Sequence, residues 1–283
     1  MTDGAWAVAL GSYPHTARLI AGEVASPALP LAFERVAPIS KAFAPMVREA
    51  RFDASEMAIA TFLMARAWDK PLVLLPAVVA RRFQEGSMLC RADGPVRRPE
   101  DLAGRRIGVR AYSQTTGMWL RGVLAEAHGV RSQDCRWVTF EDAHVPEYRD
   151  PPWAERAAKG ADMLAMLKAG ELDAAIFGND VPADPALRTV WPDVPAAGRA
   201  FQARHGFEPV NHLVVVRREH AERSPARVAE LLRLLREAGV PALTRADLAP
   251  ALGLAARWCA DQGLLPGPMA PEQAWAGLPE GIG

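Results

Sequence analysis

The sequence predicts a two-lobed α/β protein with a ligand cleft between its lobes, and three observations carry that expectation. Short apolar runs alternate with helix-like stretches along most of the chain, as in a largely parallel sheet covered on both faces. The alternation comes as two series joined by extended segments near residues 86 and 205. The 283 residues are long for one compact domain and suit two lobes of about 100–150 residues each. Lobe I is expected to combine residues 1–85 with 205–283, and lobe II to be the inserted segment 86–204.

The elements follow in order. Trp6 to Leu10 reads as a buried strand, and Thr16 is placed as the N-cap of a helix reaching Val24. Leu31 to Val36 predicts a strand, Ser40 to Arg51 a helix, and Glu56 to Ala60 and Leu72 to Ala80 two further strands. In the second series Ser87 to Arg91 is extended and Arg106 to Arg110 is a strand. The latter feeds Ser113-Gln114-Thr115-Thr116 and a helix to His128, with Gly129 as its left-handed stop. Arg136 to Phe140 is a strand, residues 141–160 a long loop, Asp162 to Ala169 a helix ended by Gly170, and Asp173 to Phe177 a strand. Val210 to Arg217 is the clearest strand of the last third. Ser224-Pro225 opens a helix with proline at its first position, and Ala251 to Gln262 is the final helix.

Composition narrows the function. Half the residues are hydrophobic, enough to fill two cores, and 33 basic residues balance 33 acidic ones. A nucleic-acid binder would show a basic excess or a basic face, so no nucleic-acid partner is expected. Cys90, Cys135 and Cys259 are scattered without a CxxC pair, which predicts neither disulfides nor a metal site. No apolar run reaches the ~18 residues of a membrane span. Met1 to Gly4 holds an aspartate and no base, and Trp6 to Leu10 is too short for an export signal. The expected location is the cytoplasm, with no membrane partner; a homo-oligomer stays open.

Ligands of open α/β sheets sit beyond the carboxyl ends of the strands, so the loops after strands hold the candidates. Ser113, Gln114, Thr115 and Thr116 lie where a strand becomes a helix, beside free backbone N–H groups that favour a carboxylate or phosphate. Arg81, at the end of an apolar strand, is the candidate carboxylate clamp, with Arg82 assigned to the surface. His15 and Tyr13 occupy the first post-strand loop, and His212 sits in an apolar strand that gives no local reason for an imidazole. Histidine exchanges protons near neutral pH, so the pair are candidate proton-transfer groups, with Glu56 or Glu85 as partner. His128, His144, His205 and His220 read as surface groups. No GxGxxG, P-loop, GxSxG, HExxH or EF-hand pattern occurs, which removes support for nucleotide, serine-hydrolase and metalloprotease functions and predicts no cofactor and no metal.

Several segments are similar to the 4,5-dihydroxyphthalate decarboxylase family. They are Tyr13 to Thr16, the run Pro76 to Cys90 around Arg81 and Phe83, Arg98 to Val109, Tyr112 to Thr116 with Trp119, Arg121 and Gly122, Met166 to Ala174, Pro209 to His212, and Gln262 to Pro266. They span nearly the whole chain in the family's order. The resemblance implies a type II periplasmic-binding-protein-like fold, with the first lobe made from both chain ends. It also implies cofactor-independent loss of carbon dioxide from a small anionic hydroxylated aromatic dicarboxylate, with Arg81, His15 and His212 in the site. The family pattern has Arg-His after the phenylalanine, whereas this chain has Gln84-Glu85. The proton donor is then His212 or His15, and the hydroxyl acceptor the other histidine or Glu56. The alternatives are a non-catalytic intracellular binding protein for a small anionic ligand and a ligand-sensing module.

Overall fold

The structure, a computed structural model, describes residues 4–282. Met1 to Asp3, on which much of the export expectation rests, and Gly283 lie outside the described residues.

The chain opens β1 (Trp6–Ala9), α1 (Ala17–Ile20), β2 (Leu31–Phe33), α2 (Phe43–Glu49), β3 (Ala54–Ala58), α3 (Ile59–Ala67) and β4 (Leu72–Arg81). β1 pairs in parallel with β2 and β3. Two expectations are corrected here. The strand expected at 56–60 ends at Ala58, and a helix begins at Ile59 whose first seven residues are all buried. A helix apolar on every side leaves no 3.6-residue stripe to read. The first helix is a single turn, and Thr16 does not cap it. Its hydroxyl instead donates to the Gly11 carbonyl at 2.7 Å and accepts from the Tyr13 N–H at 2.9 Å, cinching the loop below it.

The chain then builds a second sheet from β5 (Met88–Arg91), β6 (Arg106–Val109), α4 (Thr115–His128), β7 (Arg136–Thr139), β8 (Ala154–Arg156), α5 (Met163–Ala169), β9 (Ala174–Ile176), β10 (Leu187–Thr189) and α6 (Val194–His205). The strand order is β10-β5-β9-β6-β7-β8, parallel from β9 to β8 and antiparallel at β5 and β10. β8 lies in the segment expected to be loop throughout. Gly129 and Gly170 hold φ of 68° and 79° after α4 and α5, the left-handed stops expected there.

The chain returns through β11 (Val210–Arg217), followed by α7 (Arg218–Arg223), α8 (Pro225–Ala238) and α9 (Arg245–Asp261). β11 inserts antiparallel between β3 and β4, completing the first sheet as β2-β1-β3-β11-β4. Its register against β4 slips between Val210 and Val214, opposite the part of β4 that holds Pro76. Proline has no N–H for a ladder, and an edge strand with a bulge tolerates it. α9 starts six residues earlier than expected, because Thr244 and Asp247 form a capping box that outweighs Pro250 inside the helix.

The lobes are joined where the outgoing and returning strands meet: Val210 is opposite Arg81, and the Arg82 N–H donates to the Pro209 carbonyl at 3.0 Å. A second junction is made by α9, which packs on α3 of the first lobe and α4 of the second. A Cβ on Gly122 would lie 1.9 Å from the Trp258 indole, so only glycine admits this approach. Below it Arg121, 1% exposed, donates to Gln262 Oε1 at 2.8 Å and to the Tyr112 carbonyl at 2.6 Å.

Candidate active site

Glu56 is fully buried on β3, in an apolar sheet that would reject a carboxylate without partners. The register supplies one. His212 is opposite Ala58 and Val214 opposite Glu56, so Glu56 and His212 are diagonal neighbours on one face. His212 Nδ1 donates to Glu56 Oε1 at 2.5 Å. The Tyr13 hydroxyl donates to the same oxygen at 2.7 Å, and the Gly11 N–H donates to Oε2 at 2.8 Å. Both oxygens are thus engaged by groups of the protein itself. Burial, reinforced by the Glu56 charge, pushes the Tyr13 phenol well above its ordinary pKa.

His15 joins the same cluster. Its ring stacks on Tyr13 with centroids 5.3 Å apart and planes 6° from parallel. Its Nε2 donates to the Val79 carbonyl at 2.9 Å, which leaves Nδ1 as the lone-pair nitrogen of the neutral ring. His212 differs: with Nδ1 committed to Glu56, its Nε2 is the nitrogen available for exchange.

The second lobe contributes the Ser113–Thr116 turn. Ser113, Thr115 and Thr116 are buried, and Gln114, at φ −60° and ψ 130°, occupies the N-cap position of α4 without a side-chain cap bond. Thr115 Oγ1 accepts the Ala60 N–H at 3.2 Å. That bond sets the N-terminus of α4 beside the N-terminus of α3, so two helix dipoles present their positive ends together. Gln114 Oε1 is buried without a hydrogen-bond partner. Gly178 lies against Gln114 Nε2 in the loop after β9, and its φ of 68° is the left-handed conformation that favours glycine there.

Arg82, rather than Arg81, reaches the Ser113–Thr116 turn. Arg81 is 55% exposed and pairs with Glu208 at 3.4 Å, so the structure does not bring it to the cluster. Successive strand residues point to opposite faces, and one step turns the next side chain inward. Arg82 Nη2 donates to Thr116 Oγ1 at 3.2 Å and Nη1 donates to Asn179 Oδ1. Burial lowers its pKa without discharging it. Of the two residues that depart from the family pattern, Gln84 donates to Asn211 Oδ1 at 2.8 Å. Glu85 is 2% exposed with one oxygen unpartnered, and burial raises its pKa.

None of the four remaining histidines is an exposed surface group. His128 binds Glu100 at 2.7 Å, His205 packs on Phe201, and His220 stacks on Trp6 while bonding Asp53 at 2.7 Å. His144, in the segment read as a polar loop, lies beside the cluster, its Nδ1 2.9 Å from Thr61 Oγ1. Nothing local distinguishes it; only its position after β7, on the ligand side of an open sheet, could have marked it.

Residues 45–148 match the family described as NMT1/THI5 like. The chain is 27% identical over 257 residues to a 4,5-dihydroxyphthalate decarboxylase of Comamonas testosteroni, covering 84% of this chain and 76% of that one. It is 29% identical over 177 residues to one of Pseudomonas putida, covering 60% and 68%. Among solved structures, the periplasmic aliphatic sulphonate binding protein SsuA from Escherichia coli aligns with a TM-score of 0.57 at 15% identity, over 98% of this chain and 84% of that one. The desulfurization enzyme DSZB aligns with a TM-score of 0.55 at 18% identity, over 97% and 96%. The fold is that of the two-lobed periplasmic binding proteins, and the resemblance to the 4,5-dihydroxyphthalate decarboxylases holds along most of the chain.

Proposed function

We propose that the chain is a cofactor-independent decarboxylase of a hydroxylated aromatic carboxylate such as 4,5-dihydroxyphthalate, working inside the cell. The observation that carries this reading is the Glu56–His212 pair, 2.5 Å apart in the cleft of a chain whose curated relatives bear that name. A binding protein needs an anion clamp; it has no need of a buried carboxylate holding an imidazole by one nitrogen.

The chemistry divides between the two lobes. Arg82, the Ser113–Thr116 turn and the paired helix N-termini hold the carboxylate that leaves, without a counterion of their own. His212, held through Nδ1 by Glu56, donates its Nε2 proton to the ring carbon bearing that carboxylate. The ring hydroxyl supports the resulting dienone-like cation. The carbon–carboxylate bond then breaks, its electron pair returns to the ring, and carbon dioxide departs. The net reaction consumes one proton, which His212 regains from solvent. His15, with Nδ1 free, stands as the acceptor for the hydroxyl proton. General acid catalysis supplies ~10²–10⁴-fold, and fixed donors around the leaving group supply much of the rest.

The test is carbon dioxide release from 4,5-dihydroxyphthalate and a panel of hydroxybenzoates, with and without a chelator. Release that survives the chelator and falls ~10²-fold in His212→Asn, with affinity little changed, supports the reading. Tight binding of these acids without release favours a pure binder, and chelator sensitivity removes the metal-free mechanism.

A further inference from the structure

One group beside the cleft has no role in that mechanism. His144 lies in the loop between β7 and β8, which crosses from the second lobe to the first. Arg48 of α2 donates to the His144 carbonyl at 3.0 Å and to the Ala143 carbonyl at 2.7 Å, and Lys70 pairs with Glu147 at 2.6 Å. The imidazole itself meets Thr61, one residue beyond the Ala60 N–H that binds Thr115. The buried Phe43 ring then receives two imidazoles from opposite lobes: His144 at 5.7 Å and 83°, His212 at 5.2 Å and 81°. His144 therefore stands one phenyl ring away from the proposed proton donor.

Its electrostatics differ from those of its counterpart. His212 bonds a carboxylate, whereas among the described residues His144 has none beside it. Burial, and after it the charges of Arg110 and Arg48, oppose protonation of His144 and push its pKa down to about 4. At neutral pH it is an uncharged ring with Nδ1 committed to Thr61 and Nε2 left over. Such a group adds nothing to an anion clamp. It suits a hydroxyl, which donates or accepts and so matches either tautomer.

We propose that His144 is a ligand-binding residue of the cleft, carried in by the second lobe, whose Nε2 reads an uncharged ring hydroxyl of the bound aromatic acid. The assignment rests on the decarboxylase reading and deepens it by giving the ligand two ends. The anionic end lies on Arg82 and the Ser113–Thr116 turn, and the hydroxyl end lies on His144. Selection between hydroxylated and bare aromatic acids then resides in a residue that takes no part in proton transfer to carbon.

The test is calorimetric titration of the full chain, near neutral pH, with 4,5-dihydroxyphthalate and with phthalate, which lacks both hydroxyls. The wild type is expected to prefer the hydroxylated acid by ~10-fold, the size of one well-made hydrogen bond. His144→Phe should remove most of that preference while leaving phthalate affinity within ~3-fold, and His144→Gln, which keeps a neutral donor and acceptor, should retain most of it. Thr61→Val, which leaves the imidazole in place but unanchored, should give an intermediate preference and decides the matter if His144→Phe does not fold. An undiminished preference in His144→Phe or Thr61→Val, or equal binding of both acids by the wild type, overturns the assignment and leaves decarboxylation standing. Binding of neither acid overturns both.

Discussion

Thr115 of the second lobe accepts the backbone N–H of Ala60 of the first at 3.2 Å, and this bond aligns the first turns of α3 and α4. The backbone N–H groups of the two helix N-termini are therefore held side by side by the protein's own hydrogen bonding. Thr115→Val keeps the shape, removes the acceptor and strands a buried N–H. The expected loss is ~1–3 kcal/mol of stability, read as a lower urea midpoint, together with weaker binding of aromatic carboxylates.

The two adjacent arginines should separate cleanly. Arg82→Ala is expected to abolish most of the ligand-induced rise in melting temperature, a rise worth roughly 2.7 kcal/mol at 100 times Kd. Arg81→Ala, losing one exposed pair with Glu208, should leave that rise intact. The reverse pattern in a thermal-shift titration would return the clamp to Arg81.

Glu56 is expected to matter to rate more than to affinity, because its oxygens face His212, Tyr13 and Gly11 rather than the cleft. Glu56→Gln should lower kcat by ~10²-fold or more with KM within a few-fold. Steady-state kinetics in which KM alone rises would instead make Glu56 a substrate ligand.

His144 gives stability a defined pH dependence. Its pKa falls from 6.5 to about 4 on folding, so below about pH 6.5 the unfolded chain binds a proton that the folded chain refuses. Stability contributed at higher pH is lost as pH falls through that window, by up to ~3 kcal/mol at its lower end. Urea midpoints measured across it should fall less steeply with acid in His144→Phe than in the wild type.

Gly122→Ala tests the second junction between the lobes. The added methyl meets the Trp258 indole at 1.9 Å, and overpacking of this kind costs about 1–3 kcal/mol or more. A melting temperature equal to that of the wild type would mean that α9 shifts freely on α4.

Much of this architecture was legible because strands buried on both faces read as apolar runs, and because Gly129, Gly170 and Ser224-Pro225 mark helix ends by local chemistry. α3 was not legible, since its first seven residues are all buried and carry no periodic face. His15, Tyr13, Glu56 and His212, picked out singly along the sequence, lie together as one cluster. Arg82 and His144, proposed above as ligand-binding residues, were not legible for different reasons. Choosing between Arg81 and Arg82 requires the phase of β4, which a residue at the very end of a strand does not fix. His144 depends on a loop crossing between lobes, and its partners Thr61 and Phe43 are 83 and 101 positions away.

The packing of Trp258 into the notch at Gly122 also bears on modularity. The inserted lobe is continuous in sequence, so it resembles a cassette that could be moved between hosts. Yet α9 fills the face of α4 from the far end of the chain, and Gln262 Oε1 accepts from Nε of the buried Arg121 guanidinium. Moved without α9 and Gln262, the second sheet and α4 would carry an open groove and a buried cation short of its acceptor. A hybrid that keeps α4 must therefore keep α9 and Gln262 with it.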